Sequence, residues 1–482
     1  MVKWLGSKSE KALADEFVSG SKLITEKEMK AQTISQKAEF KIGSIHIPVK
    51  NEVTHFFIPG ASGRGKTQAL KPIIAKAKMR AGVKGIIHHI KGDWTSEFYL
   101  PAKGDLIFNP MDKRSLKWTI FNDIDDVIDI ENFGKWAIPD LPNKDPFWQN
   151  SARLIFTACL KKCFFENKKT NADLKHLVSL NMENLALEFG SIDEQAAELA
   201  SKRDSYLTFV TYVSWMVFLE DGDFSVRTWV QNENQSGFIF VANQPKFAEI
   251  FKPVLSLFVN VLGSAILSMP DNLNRRIFFF LDEFTSLSKL DEIVTLSNLG
   301  RSKGVSLWIT LQNIEQMIEL YGKRGKTLIE NCSNSFCFGL NHPESADFMS
   351  SVFGKGVFIK KVKNIGMGVS DNKDGLNVSE QEKEEAVVKA GDLLNLVELQ
   401  AYVKLNGVVG AALVKLNYKA YDNIAASFDQ VEMTDLQNRM LAQAAFANKQ
   451  KIEQKQAQAL VAAKESENVE SKSDDAEIEE SY

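Results

Sequence analysis

The stretch Gly60-Ala61-Ser62-Gly63-Arg64-Gly65-Lys66-Thr67 limits what this 482-residue chain can fold into more than any other. Its Gly-x-x-x-x-Gly-Lys-Thr spacing is that of a phosphate-binding loop. Glycines let the backbone curl until its N–H groups converge on phosphate oxygens. Lys66 adds a cation for the β- and γ-phosphates, and the Thr67 hydroxyl can ligate Mg²⁺. Such a loop needs a buried strand before it and a helix after it. THFFIPG (54–60) reads as that strand, TQALKPIIAKAKMRAG (67–82) as a helix ending at Gly82, and VKGIIHHI (83–90) as the next strand. In that setting the residues from Gly60 to Thr67 are expected to hold a nucleotide, ATP with Mg²⁺. The plain alternative is a glycine-rich turn that matches by chance.

A second stretch adds chemistry. RRIFFFLDEF (275–284) is a very apolar strand that ends in Asp282-Glu283. An acid at the carboxyl end of a parallel strand lies beside the ligand crevice. Asp282 is expected to hold Mg²⁺ through water and Glu283 to polarise the attacking water. Gln312 ends the strand GVSLWITLQ (304–312), where an amide can sense the γ-phosphate or only cap a turn. Arg301, in LGRSKG, is either an arginine finger aimed at a neighbouring subunit's γ-phosphate or a surface arginine.

The rest of the chain frames these stretches. SGFIFVANQ (236–244), the helix around 247–268 and NSFCFGL (334–340) continue the alternation of strands and helices, which predicts an α/β fold with a mostly parallel sheet. EFKIGSIHIPV (39–49) reads as strands. From 115 to 235 glycine nearly disappears and helical periods dominate, so an inserted all-α domain is expected there. The nucleotide-binding domain then covers 41–114 and 236–430, after an N-terminal segment 1–40. The polar stretch 362–391 reads as an exposed loop. A C-terminal region 431–482 combines a long exposed helix (432–464) with an acidic, disordered tail.

Charge and cysteine content set bounds. The tail 464–482 carries eight acids and two lysines, so it holds more than the whole net charge of −4 and leaves a body near +2. A near-neutral body binds DNA only through local basic patches or an assembled ring. Four cysteines, Cys159, Cys163, Cys332 and Cys337, sit in apolar surroundings and read as buried thiols of a reducing cytoplasm. The start, MVKWLGSKSEKALADEF, lacks the apolar core of a signal peptide. The longest apolar run, 254–269, is shorter than the about 20 residues of a membrane span and reads as a buried helix.

With those residues placed, the chain resembles the TraD/TraG-type coupling proteins of type IV secretion and conjugation. These are hexameric ATPases of the FtsK/HerA–RecA-like class. The likeness rests on GSKLITEKEM, HFFIPGASGRGKT, IKGDWTSEFY, LIFNPMDKRSLKWTIFND, DPFWQNSARLIF, FFFLDEF and GRSKGVSLWITLQNIEQMIELYG, in that order. It implies a RecA-like P-loop NTPase interrupted by an all-α domain, with Gly60, Gly63, Gly65, Lys66, Thr67, Asp282, Glu283 and Gln312 forming an ATPase site. It implies a homo-hexamer that passes DNA with its relaxase, or a secreted protein, to a type IV secretion channel, the acidic tail touching the relaxosome. Two departures stand out. The family carries transmembrane helices ahead of this domain and this chain shows none, so a cytoplasmic protein reaching the inner membrane through a partner is expected. His89 replaces the acid of a D-x-K-G pattern whose Lys91 and Gly92 remain, and it reads as a surface histidine. A DNA pump unlinked to secretion and an ATP-binding docking platform remain as alternatives.

Overall fold

Short apolar runs bounded by glycine or polar residues build the strands of this protein. Its computed structural model describes residues 16–140, 142, 145–366, 375–432, 434, 435 and 437. The helix expected over 432–464 falls outside the described residues from 438 onward, as does the acidic tail. In chain order the strands are β1 (Glu16–Gly20), β2 (Leu23–Ile24), β3 (Ala38–Ile42), β4 (Ile45–Pro48), β5 (Phe56–Pro59), β6 (Lys84–His89) and β7 (Leu106–Phe108). Then come β8 (Gly237–Ala242), β9 (Ile277–Leu281), β10 (Val305–Leu311), β11 (Asn334–Cys337), β12 (Lys355–Gly366), β13 (Gly375–Ala386), β14 (Gln400–Lys404) and β15 (Ala411–Lys415).

Contacts group the chain into two units. Of the described residues, the first holds those within 1–109, 139–144 and 226–428, the second those within 110–138, 145–225 and 429–482. Ten strands of the first unit form one sheet in the order β2-β15-β14-β11-β5-β10-β9-β6-β8-β7. From β11 to β7 every neighbouring pair is parallel, and only β14 runs antiparallel to its neighbours. Every residue of β5, β6, β8, β9 and β10 is buried, as expected of parallel strands covered on both faces. Aromatic rings fill the layers. Phe56 stacks on Trp308 at 3.6 Å, and Phe108 on Phe258 at 4.1 Å. Gly85 in β6 leaves room for the Phe238 ring, which a Cβ there would meet at 2.0 Å.

The helix Ala248–Leu267, with the turn before it, is long and apolar enough to cross a membrane by length and composition, yet most of it is buried within the unit. The helix Val226–Gln231 packs against it, and Lys84 donates to the carbonyls of Val230 and Asn232. These contacts hold 226–235 with the sheet unit, whereas the sequence places the boundary at 235. The N-terminal segment likewise reaches into the sheet, because β2 pairs with β15.

Two expectations need correction. The helix after the phosphate loop runs over Lys66–Ala77 and stops short of Gly82. Beyond it Lys78 turns to Asp105 and Arg80 to Glu52 and Glu39. The stretch 362–391 is not a loop. Most of it belongs to an antiparallel hairpin of β12 and β13, with β1 added alongside β12. Cross-strand pairs stitch the hairpin, Lys355 to Glu384 at 3.1 Å and Lys360 to Glu385 at 2.7 Å.

The second unit contains helices and no named strand among the described residues. Asp126, Asp145, Thr170, Asn181 and Asp193 each cap a helix by accepting a first-turn amide. Ile155, Phe156, Cys159, Phe189, Phe209 and Trp215 lie in its interior. All four cysteines are buried free thiols, and burial pushes each well above the usual thiol range.

Candidate nucleotide-binding site

Parallel β5, β10, β9 and β6 are neighbours, so their carboxyl ends share one edge of the sheet. Ligands of open α/β sheets bind beyond that edge. The loop after β5 is tied down at its start. The Gly60 N–H donates to the Leu311 carbonyl at 3.1 Å and the Ala61 N–H to Gly339 at 2.7 Å. Gly63 (φ +77°) and Gly65 (φ +113°) take left-handed conformations that turn the loop into the helix Lys66–Ala77. The N–H groups of Ser62, Gly63, Gly65, Lys66 and Thr67 have no protein acceptor among the described residues. Convergent free amides at a helix N-terminus form an anion site. Arg64 does not offer its side chain there, because its guanidinium braces the Leu396 carbonyl at 3.3 Å.

Lys66 is buried and folds back on the loop, donating to the carbonyls of Gly60 and Ala61. Burial lowers its pKa, and the negative charges of Glu283 and Asp282 oppose the shift. Those carboxylates follow β9. The Asp282 N–H donates to the His88 carbonyl, and its Oδ1 accepts the Thr310 hydroxyl at 2.7 Å. Burial raises the Asp282 pKa, while the Thr310 hydrogen bond and Lys66 counter it. Glu283 sits in the left-handed region (φ +52°, ψ +67°), rare for a side chain of this kind. No ion pair joins Lys66 to either acid among the described residues, yet both lie near enough for their charges to act on it.

Gln312 lies exposed just past the end of β10, on the same edge. Arg301 lies exposed on the turn before β10. The seven residues of β10 separate that turn from the site, a span of about 20 Å at strand rise. Arg301 therefore does not join its own chain's phosphate loop. His89 is not at the surface but fully buried. Its Nδ1 accepts the Gly92 N–H at 3.0 Å, so Nε2 carries the proton and donates to Thr95 Oγ1 at 2.8 Å. Burial pushes it down to about 3. A neutral imidazole thus holds the Lys91-Gly92-Asp93 turn.

Sequence reasoning missed Thr310 and His88. Inside SLWITLQ the threonine looks like one more β-branched strand residue, and only its hydroxyl within an apolar strand marks it. His88 is also buried and pushed down to about 4. Its Nδ1–H donates to the Val241 carbonyl at 2.9 Å, so Nε2 accepts the Ser286 hydroxyl at 2.8 Å.

The chemistry fits a magnesium nucleotide. Free amides and Lys66 suit phosphate oxygens, and the Thr67 hydroxyl and Asp282 are the hard oxygen ligands that Mg²⁺ takes.

Residues 39–417 match the family model described as the type IV secretion-system coupling protein DNA-binding domain. The chain is 24% identical over 461 residues to the coupling protein TraD of Escherichia coli (strain K12), which is 92% of this chain and 64% of TraD. It therefore spans less than two thirds of that relative. It is 31% identical over 118 residues to the conjugal transfer protein TraG of Rhizobium radiobacter, 24% of this chain and 18% of that protein. A structure of the bacterial conjugative coupling protein TrwBdeltaN70 in its unbound monoclinic form superposes with a TM-score of 0.75 at 25% identity, covering 86% of this chain and 97% of that one. The plasmid coupling protein TrwB in complex with ADP and Mg²⁺ shares the fold, with a TM-score of 0.74 at 24% identity over 87% of this chain and 97% of that one.

Proposed function

Because the chain belongs to the type IV secretion-system coupling protein family, we propose that it hydrolyses ATP to move DNA, with an attached relaxase or a secreted protein, towards a type IV secretion channel. The observation that carries this reading is the set of free loop amides close to Lys66, Asp282 and Glu283, with no ion pair joining Lys66 to either acid among the described residues. The names of the relatives, coupling and conjugal transfer proteins, support the cargo.

In this reading the amides of Ser62, Gly63, Gly65, Lys66 and Thr67 receive the phosphates. Lys66 exchanges the Gly60 and Ala61 carbonyls for β- and γ-phosphate oxygens. Thr67 and, through water, Asp282 would hold Mg²⁺, which when bound neutralises phosphate charge. Glu283 orients the attacking water, and Gln312 reads the γ-phosphate end of the site. Arg301, remote from its own loop, serves a neighbouring subunit in a homo-hexamer, so turnover depends on assembly. DNA is held through its backbone without reading of sequence. The nucleotide site works on the cytoplasmic side.

The test is ATPase rate against protein concentration, with and without single- and double-stranded DNA, and with Lys66→Ala as the blank. A steep rise with concentration and DNA is expected. A rate no higher than the blank under every condition overturns the motor and leaves a docking platform.

A further inference from the structure

The proposed reaction needs Glu283 held in one place, and its backbone conformation does not favour that place. A non-glycine residue at φ +52° is strained and persists only where its surroundings over-determine it. Three hydrogen bonds do so. The Glu283 N–H donates to Thr310 Oγ1 at 3.1 Å, its carbonyl accepts the Ser286 N–H at 2.8 Å, and its Oε1 accepts the Thr285 hydroxyl at 3.2 Å. Two of these partners lie on the same short turn and move with it. Thr310 alone comes from another element, the fully buried strand β10.

The Thr310 hydroxyl has one proton, and Asp282 Oδ1 accepts it at 2.7 Å. A lone pair of the same oxygen takes the Glu283 N–H. One oxygen thus touches both members of the Asp-Glu pair, one through its side chain and the other through its backbone. The turn has a second anchor in His88, which links Ser286 to the Val241 carbonyl of β8.

We infer that Thr310 is a positioning residue, whose hydroxyl sets Glu283 relative to Asp282 and so fixes where the attacking water is oriented. The inference rests on the ATPase reading above. Valine keeps the shape of threonine and removes the hydroxyl, leaving the Glu283 N–H without its partner. Serine keeps the hydroxyl and removes a methyl.

The experiment compares wild type, Lys66→Ala, Thr310→Val and Thr310→Ser, with kcat from ATPase assays at saturating protein and Mg·ATP affinity from a fluorescent ATP analogue. Thr310→Val is expected to lower kcat on the order of tenfold to hundredfold, the scale of a misplaced catalytic group. Its Mg·ATP affinity falls far less than its rate, because Lys66 and the loop amides that receive phosphate are untouched and only Asp282, which holds Mg²⁺ through water, loses a partner. Thr310→Ser keeps most of the rate. The inference is overturned if Thr310→Val turns over at the wild-type rate, if it loses affinity in step with rate, or if Thr310→Ser behaves like Thr310→Val. Wild-type turnover no higher than Lys66→Ala instead overturns the ATPase reading, and this inference with it.

Discussion

The two ends of the same parallel strands differ in how their charges are used. At the amino ends cations are tied to protein partners. Fully buried Glu52 accepts Arg80 Nη1 and Nη2 at 2.8 and 2.7 Å and Arg276 Nε at 3.1 Å. Lys84 caps two carbonyls, Arg275 pairs with Glu233 at 2.6 Å, and Lys303 with Asp271 at 2.8 Å. At the carboxyl ends Lys66 has only carbonyls, Asp282 has a hydroxyl, and five loop amides are open. Charge at one end holds the sheet together. Charge at the other is held ready for something from outside.

That contrast is broken or sharpened most strongly by Glu283→Gln. It should lower ATP turnover by roughly 10²- to 10⁴-fold, the range for a general base, with Mg·ATP binding and urea stability kept. A large loss of stability would mean the carboxyl end is structural too. The mirror experiment is Glu52→Ala, which takes the shared carboxylate from two partly buried guanidinium groups, leaving Arg80 with Glu39 and Arg276 with backbone carbonyls. It should cost about 1–3 kcal/mol in urea unfolding, with turnover per folded molecule unchanged at low temperature. Loss of nucleotide binding in the folded variant would erase the division of labour.

A third effect, read through pH rather than substitution, comes from buried histidines at both ends. Burial pushes His55 and His88 down to about 4 and His89 to about 3, below the usual 6.5. The unfolded chain therefore binds the proton first. The stability these groups confer is complete above pH 6.5 and is lost as pH falls towards 4, by about 1.4 kcal/mol per pH unit for each histidine. A melting temperature unchanged from pH 7 to pH 5 would contradict their burial as neutral groups. Least is expected of Gln312→Ala. Its exposed side chain should cost less than about tenfold in turnover, one amide contact's worth, and nothing in stability.

Much of this division is legible in the residues. Glycine spacing marks the phosphate loop because the backbone requires those conformations, and IFFFL before Asp282-Glu283 marks a strand buried on both faces. The amino-end network is not legible, because Glu52, Arg80 and Arg276 lie far apart in sequence and only the sheet brings them together. The β12–β13 hairpin hid because the apolar residues of KGVFIKKVKNIG are clustered and those of GLNVSEQEKEEA are few, so neither strand shows the two-residue alternation that betrays one. His89 misled for a related reason. A histidine after IIH looks like the first polar residue beyond a strand, yet its ring satisfies both nitrogens inside the fold.

The left-handed conformation of Glu283 bears on how this protein would respond to selection. Glycine at that position would relieve backbone strain on the order of 1–3 kcal/mol, and it would also remove the carboxylate. A search for heat-resistant variants would therefore reward the substitution that silences the proposed motor. Screens that read melting temperature and screens that read transport would pull this single position in opposite directions.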